Sequence, residues 1–390
     1  MKKIILSTLA LTSIVLSADV VKLYVDESGQ TFTTPAENRV EIGNINSKSP
    51  SISSKLKFSG THYLGFKHQA ENGESSTNNF EMRRNYVQVK AHLLEDPKSY
   101  LRVTLDATYT SKTADGEGHA DAYVKYAYLY LNDILPQTGV EVGMVHRPWI
   151  DYEEHQGWWM RSISKVFVEA GEGAHLTNSA DLGFNFKTKT DYFTSEAGIF
   201  NGEGYHGTND LDTGHEIGAG VSAEWRATGA FFGNGKIKRD PLKDSYLDAS
   251  FFGQINMYNS QNAGETYMMY GLHSVYNQPE FLVAAQVVMA SNSKADSAEI
   301  SEFDGFGYSL NGTYRMGEKK EYSALLRLDY WDTVSDFSSE FDETKYNIIY
   351  GVAWQQNKNV KWLLSGQGTD YMTQNYKDST EIYITAEVHW

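Results

Sequence analysis

The sequence predicts an all-β protein, a transmembrane antiparallel β-barrel of about 16 strands with one long loop folded into its lumen. Three observations predict it. From residue 55 onward apolar and polar residues alternate with a period of two through about sixteen segments of roughly ten residues, the weak per-segment signature of barrel strands. The gaps between these segments alternate long and short, as outer loops and inner turns do in a barrel that crosses an outer membrane. One stretch, residues 139–204, breaks the rhythm with a strand, an insert of about thirty residues and two further strands. So long an irregular segment is uncommon in a compact domain and is usually functional.

The start of the chain supplies context. Met1-Lys2-Lys3 precedes the apolar run from Ile4 to Leu16 and the small residues Ser17 and Ala18. This pattern predicts a secretory signal peptide over residues 1–18, because a spanning helix needs about twenty apolar residues. Residues 19–54 form a short periplasmic segment and linker. Residues 21–25 and 30–33 flank a Gly-containing turn and predict a hairpin, and the Ser/Asn-rich residues 44–54 read as linker.

The barrel occupies residues 55–390. Its strands are expected at 55–68, 80–94, 99–111, 119–132, 138–147, 180–190, 192–201 and 213–226. The second half continues at 244–258, 265–277, 280–291, 303–316, 320–332, 343–356, 359–370 and 379–390. Short gaps such as Glu95-Asp96-Pro97-Lys98 and Met316-Gly317-Glu318-Lys319 alternate with long ones, including 69–79 and 291–302. The gap 227–243 is long where a turn belongs, so either a strand is misplaced or that turn is elaborated. The last segment places Ile382, Ile384, Ala386, Val388 and Trp390 on one face and Glu381, Glu387 and His389 on the other. An aromatic at the end of such a strand fits an outer-membrane barrel.

Composition agrees. Mean hydropathy is -0.48, yet aromatics make up 13% of the chain, as expected when half of each strand faces water and aromatic girdles mark the interfaces. The formal charge of -16 disfavours nucleic acid, whose phosphates need a basic surface, and suits acidic external loops. The chain has no cysteine, which excludes disulfides and thiolate chemistry. A soluble sandwich would also alternate, but the signal peptide favours a barrel. A propeller would show a fixed repeat.

Several segments resemble the phosphate-selective porin O/P family: Phe80-Glu81-Met82-Arg83-Arg84-Asn85-Tyr86, Asp121-Ala122-Tyr123-Val124-Lys125-Tyr126 and Val142-Gly143-Met144-Val145-His146-Arg147-Pro148. To these belong Trp159-Met160-Arg161-Ser162, Asp181-Leu182-Gly183-Phe184 and Phe200-Asn201-Gly202-Glu203-Gly204. They cover the first half of the barrel. The resemblance implies a bacterial outer-membrane porin, a homotrimer of sixteen-stranded barrels with arginines lining an anion path. Carried over by position, Arg83, Arg84 and Arg161 match that basic set.

Alternation sorts the wall independently. With Val87, Val89, Ala91 and Leu93 toward lipid, Arg84, Tyr86, Gln88, Lys90 and His92 point inward. With Leu101, Val103 and Leu105 outward, Arg102, Thr104 and Asp106 point inward. Lys125, Glu141, Arg147, Lys187, Glu196, Glu216, Glu224, Arg226, Arg315, Arg327 and Asp329 follow the same rule. A charge facing lipid near the midplane costs ~2–4 kcal/mol, which gives the sorting its basis. Together, the alternation (Arg84, Lys90, Arg102, Lys125 and Arg147) and what the resemblance implies (Arg83, Arg84 and Arg161) give the expected anion path, with Arg161 at the narrowest level; pairing with Glu153 or Glu154 would silence it.

The expected partners are small hydrophilic solutes or inorganic anions, outer-membrane lipid and the barrel-assembly machinery. No cofactor, catalytic residue or metal is expected. The acidic clusters Asp115–Asp121 and Asp210 with Asp212 lack the closing Glu of a Ca²⁺ loop. Two other readings use the same barrel: an enzyme built on loop carboxylates with His155 or His175, and a plugged structural or adhesive barrel.

Overall fold

The computed structural model describes residues 21–26, 30–32, 34–45, 55–110, 119–202, 204–205, 221–233, 239–257, 266–292, 305–333, 344–372 and 377–390. The signal peptide, both acidic clusters except residues 119–121, and Glu216 lie outside the described residues. The chain divides into two units at residues 55 and 56.

The first unit contains a three-stranded antiparallel sheet in the order β2-β1-β3. β1 (Val21–Asp26) and β2 (Thr31–Phe32) form the expected hairpin. β3 (Arg39–Ile45) is an addition, paired along the whole of β1.

The second unit is a closed antiparallel barrel of sixteen strands. Its first half comprises β4 (Leu56–Glu71), β5 (Thr77–Ala91), β6 (Tyr100–Thr110), β7 (His119–Leu135), β8 (Thr138–His146), β9 (Ala180–Lys189), β10 (Phe193–Phe200) and β11 (Ser222–Phe232). The second comprises β12 (Tyr246–Met257), β13 (Thr266–Gln278), β14 (Phe281–Asn292), β15 (Gly305–Met316), β16 (Tyr322–Thr333), β17 (Thr344–Gln355), β18 (Val360–Tyr371) and β19 (Ser379–His389). β19 pairs with β4 and closes the ring, and the Trp390 and Gly60 backbones exchange two further hydrogen bonds at that seam.

Outside, exposed side chains follow the girdle pattern. Leu272, Val287, Leu310, Leu326, Leu328, Ile348, Leu364 and Ile384 form an apolar band. Tyr308, Tyr330 and Tyr346 line up across three strands at one rim, with centroids 5.2 and 5.0 Å apart. Tyr314, Tyr322, Trp354 and Trp362 mark the other rim.

Two expectations about boundaries are corrected. The strand expected at 213–226 is Ser222–Phe232, paired on both sides through the small residues 227–230. The stretch 69–79, read as a long loop, is largely strand, paired as far as Gln69 with Thr77. The described part of the elaborated turn, residues 239–245, meets the lumen wall at the short-turn end, where the Pro241 carbonyl accepts from Arg315 and Asn277, both inward-facing.

Candidate functional site in the lumen

The insert 147–179 is not wholly irregular. Pro148 occupies the first turn of α1 (Pro148–Gln156), where its missing N–H costs nothing, and Gly157 caps the helix. Trp149, Ile150 and Glu153 face the wall and are buried. After α1 the chain continues as turns carrying Trp158, Met160, Ile163, Val166, Phe167, Val168 and Leu176, all buried.

Contacts locate this segment. Trp149 stacks on Phe252 of β12 at 3.7 Å. Glu153 meets Gln286 of β14. The Lys165 carbonyl accepts from Arg327 of β16 at 2.7 Å and that of Gly171 from Lys345 of β17 at 3.0 Å. Ser162 donates to Glu387 of β19 at 2.7 Å, and its carbonyl accepts from Arg83 of β5 at 2.7 Å. β14 and β5 stand on opposite sides of the ring, so one segment reaches both only through the lumen.

The filling is lopsided. Phe252, Met269, Val288, Leu325, Trp331, Ile349 and Leu363 face inward from β12–β18 and form one apolar cluster with the insert. Each buried large side chain contributes about 1.5–3 kcal/mol, so this seat outweighs any single polar contact. Elsewhere in the lumen, tyrosines and charges from β4–β12, β18, β19 and the insert line three adjoining cavities of ≈ 330, 630 and 460 Å³. The first and second share Tyr63, Arg84 and Arg161. The second and third share Tyr100, Glu141, Asp151, His155 and Lys187.

Two β-bulges tune the basic wall. Tyr63 pairs with Arg84 and Leu64 with Met82, leaving Arg83 as the extra residue. Thr104 pairs with Tyr126 and Leu105 with Val124, leaving Lys125 as the extra residue. A bulge re-aims a side chain, so neighbours that strict alternation would separate both face inward.

Most of the expected anion path is already paired. Arg83 pins the insert through the Ser162 and Ile163 carbonyls, pairs with Glu81 at 3.0 Å and lies over Tyr383. Arg84 stands 3.8 Å from Asp106. Arg147, expected to line the path, is 1% exposed and clamps the base of the insert through Asp181 at 2.8 Å and Glu224 at 3.2 Å. Lys125 is fully buried between Ser179 and the face of Tyr205. Arg161, expected as a free charge, is held by Glu154 and by Glu169 at 2.7 Å. Of the two expected partners Glu154 makes the pair, and Glu169 forms a second arm.

Lys90 and Arg102 differ. They face each other in register across β5 and β6, and among the described residues neither has an ion pair. Lys90 lies over Tyr100, and Arg102 contacts the Tyr128 hydroxyl at 3.2 Å and His146 at 3.1 Å. His155 lines the second and third cavities and His175 the first. Among the described residues no group of three or more His, Cys, Asp or Glu is arranged to hold a metal ion.

No family model and no curated protein matches the chain. Solved structures do. Pseudomonas putida OprB aligns with a TM-score of 0.60 at 8% identity, covering 88% of this chain and 96% of its own. Salmonella typhi OmpF, in complex with daunomycin, aligns at 0.58 and 11% identity over 86% of this chain and 97% of its own. The trimer form of Vibrio cholerae OmpT, an outer membrane protein, aligns at 0.56 and 12% identity over 86% and 99%. The chain therefore has the sixteen-stranded barrel fold of bacterial outer-membrane proteins.

Proposed function

We propose that the chain is a porin of the bacterial outer membrane that passes small hydrophilic solutes passively, with no chemical step, and prefers anions. The observation that carries the preference is the Lys90–Arg102 pair. Like charges directly opposite on neighbouring strands destabilise a sheet, and here they line the ≈ 630 Å³ cavity without an ion-pair partner among the described residues. An anion in transit relieves that repulsion. The negative charge of the whole chain does not oppose it, because groups lining a narrow low-dielectric passage set the local field. Lipid is the partner of the outer apolar band, a homotrimer is the assembly, and residues 19–54 are periplasmic.

A salt-gradient reversal potential across a planar bilayer tests the preference. The wild type gives an anion-selective potential that weakens at high salt as screening shortens the field. Lys90→Gln and Arg102→Gln each move it toward cation selectivity. An unchanged potential in both, with assembly verified, removes the pair from the mechanism.

A further inference from the structure

The surroundings of Lys90 and Arg102 deepen this reading and rest on it. The cations are set among aromatic rings. Lys90 Nζ lies 5.0 Å from the Tyr100 ring centre, and the Arg102 guanidinium lies 4.7 Å from that of Tyr126. Tyr100 and Tyr130 approach to 5.1 Å at 32°. Tyr63, Tyr86, Tyr100, Tyr126 and Tyr128 line the second cavity, and Tyr100 and Tyr130 line the third. An aromatic track thus runs along one wall from the rim shared with the first cavity toward the short-turn mouth.

The facing wall has a different chemistry. There α1 presents Asp151, 3.3 Å from Lys187 and 3.8 Å from His146, and Glu154, paired with Arg161, so neither offers a ring a stacking face. The apolar cluster of the insert includes none of the track tyrosines, and Tyr100 and Tyr130 are only partly buried. An inorganic anion uses the ammonium and guanidinium alone. A ring-bearing anion also stacks on tyrosine, at offset or tilted angles that aromatic pairs favour.

We propose that this nest selects aromatic monocarboxylates of the benzoate type over anions of equal charge that lack an aromatic ring. The carboxylate takes the place between Lys90 and Arg102, and the ring lies against Tyr100 and Tyr130.

The test is block of the potassium chloride current of the wild-type channel by benzoate, acetate, galacturonate and inorganic phosphate in turn. Benzoate is expected to block at a concentration about tenfold below that of acetate, the effect of one good aromatic contact. Tyr100→Ala removes the difference between the two, and Lys90→Gln weakens both. Equal block by benzoate and acetate overturns the proposal, as does tighter block by galacturonate, or by phosphate at a pH where it is the monoanion, than by benzoate. The wild-type comparison needs no variant to fold. A cation-selective wild type that acetate does not block overturns the underlying anion reading. Anion selectivity with equal block overturns only the ring preference.

Discussion

Replacing Glu153 by Gln should strengthen the seat of α1 and free it from pH. The carboxyl is 1% exposed. One oxygen accepts from Gln286, and the other has no partner. Beside it His273, edge-on to Trp149, holds two ring nitrogens that are likewise unpartnered. Loss of hydration is the chief reason its pKa is pushed up to about 8; Arg327 and the Gln286 contact oppose the shift, and Asp329 and Glu154 add to it.

The sign follows. The folded state keeps a proton that the unfolded chain has released, so stability falls as pH rises from the ordinary carboxyl range to about 8 and is level above it. At pH 7 the proton sits some two and a half units above its ordinary range, a penalty of about 3 kcal/mol at ~1.4 kcal/mol per unit. This is a ceiling, because water reaching the carboxyl lowers it. Gln keeps the amide contact and carries no such penalty. Trp149, Trp158 and Trp159 all lie in the insert, so tryptophan fluorescence during urea unfolding reads its seat. The wild-type midpoint should fall between pH 6 and pH 9, while that of Glu153→Gln stays level and lies above it. The same pH slope in both proteins would refute the reasoning.

Two further substitutions separate clamps from selectivity residues. Arg147→Ala leaves Asp181 and Glu224 buried without their cation, a loss of about 3–5 kcal/mol, and should lower the thermal unfolding midpoint seen by heat-modified gel mobility; Glu224→Gln in the same chain should recover part of it. Arg161→Ala should shift the reversal potential toward cations because it uncovers Glu154 and Glu169, and adding Glu154→Gln should reverse much of the shift. No recovery in that double variant would return Arg161 to the role of a direct anion attractor.

The barrel was legible because one signal, alternation between lipid and lumen, repeats through most strands. It failed at β11, where Ala227-Thr228-Gly229-Ala230 carry too little hydrophobic contrast to read as strand although β10 and β12 pair with them. It also could not reveal that Arg83 and Lys125 are bulge residues, since a bulge is set by the register of two strands together. The basic residues were located, but their charge state in context was not. Whether Arg161 or Arg102 keeps an unpaired charge depends on which partners the fold brings up, such as Glu169 across a turn and Tyr128 on the next strand. One signal for the insert's seat went unused. β14 reads Phe281-Leu282-Val283-Ala284-Ala285-Gln286-Val287-Val288-Met289-Ala290, apolar on both faces, as in strands covered on both sides. In a barrel wall the second face needs a cover, and the insert supplies it.

The measurement that bears most directly on the central claim is the conductance of the purified protein in a planar bilayer. Discrete current steps in potassium chloride, with an anion-selective reversal potential, are the predicted result. A verified folded barrel that inserts into the bilayer without any stepwise conductance would contradict the claim and favour the plugged barrel instead.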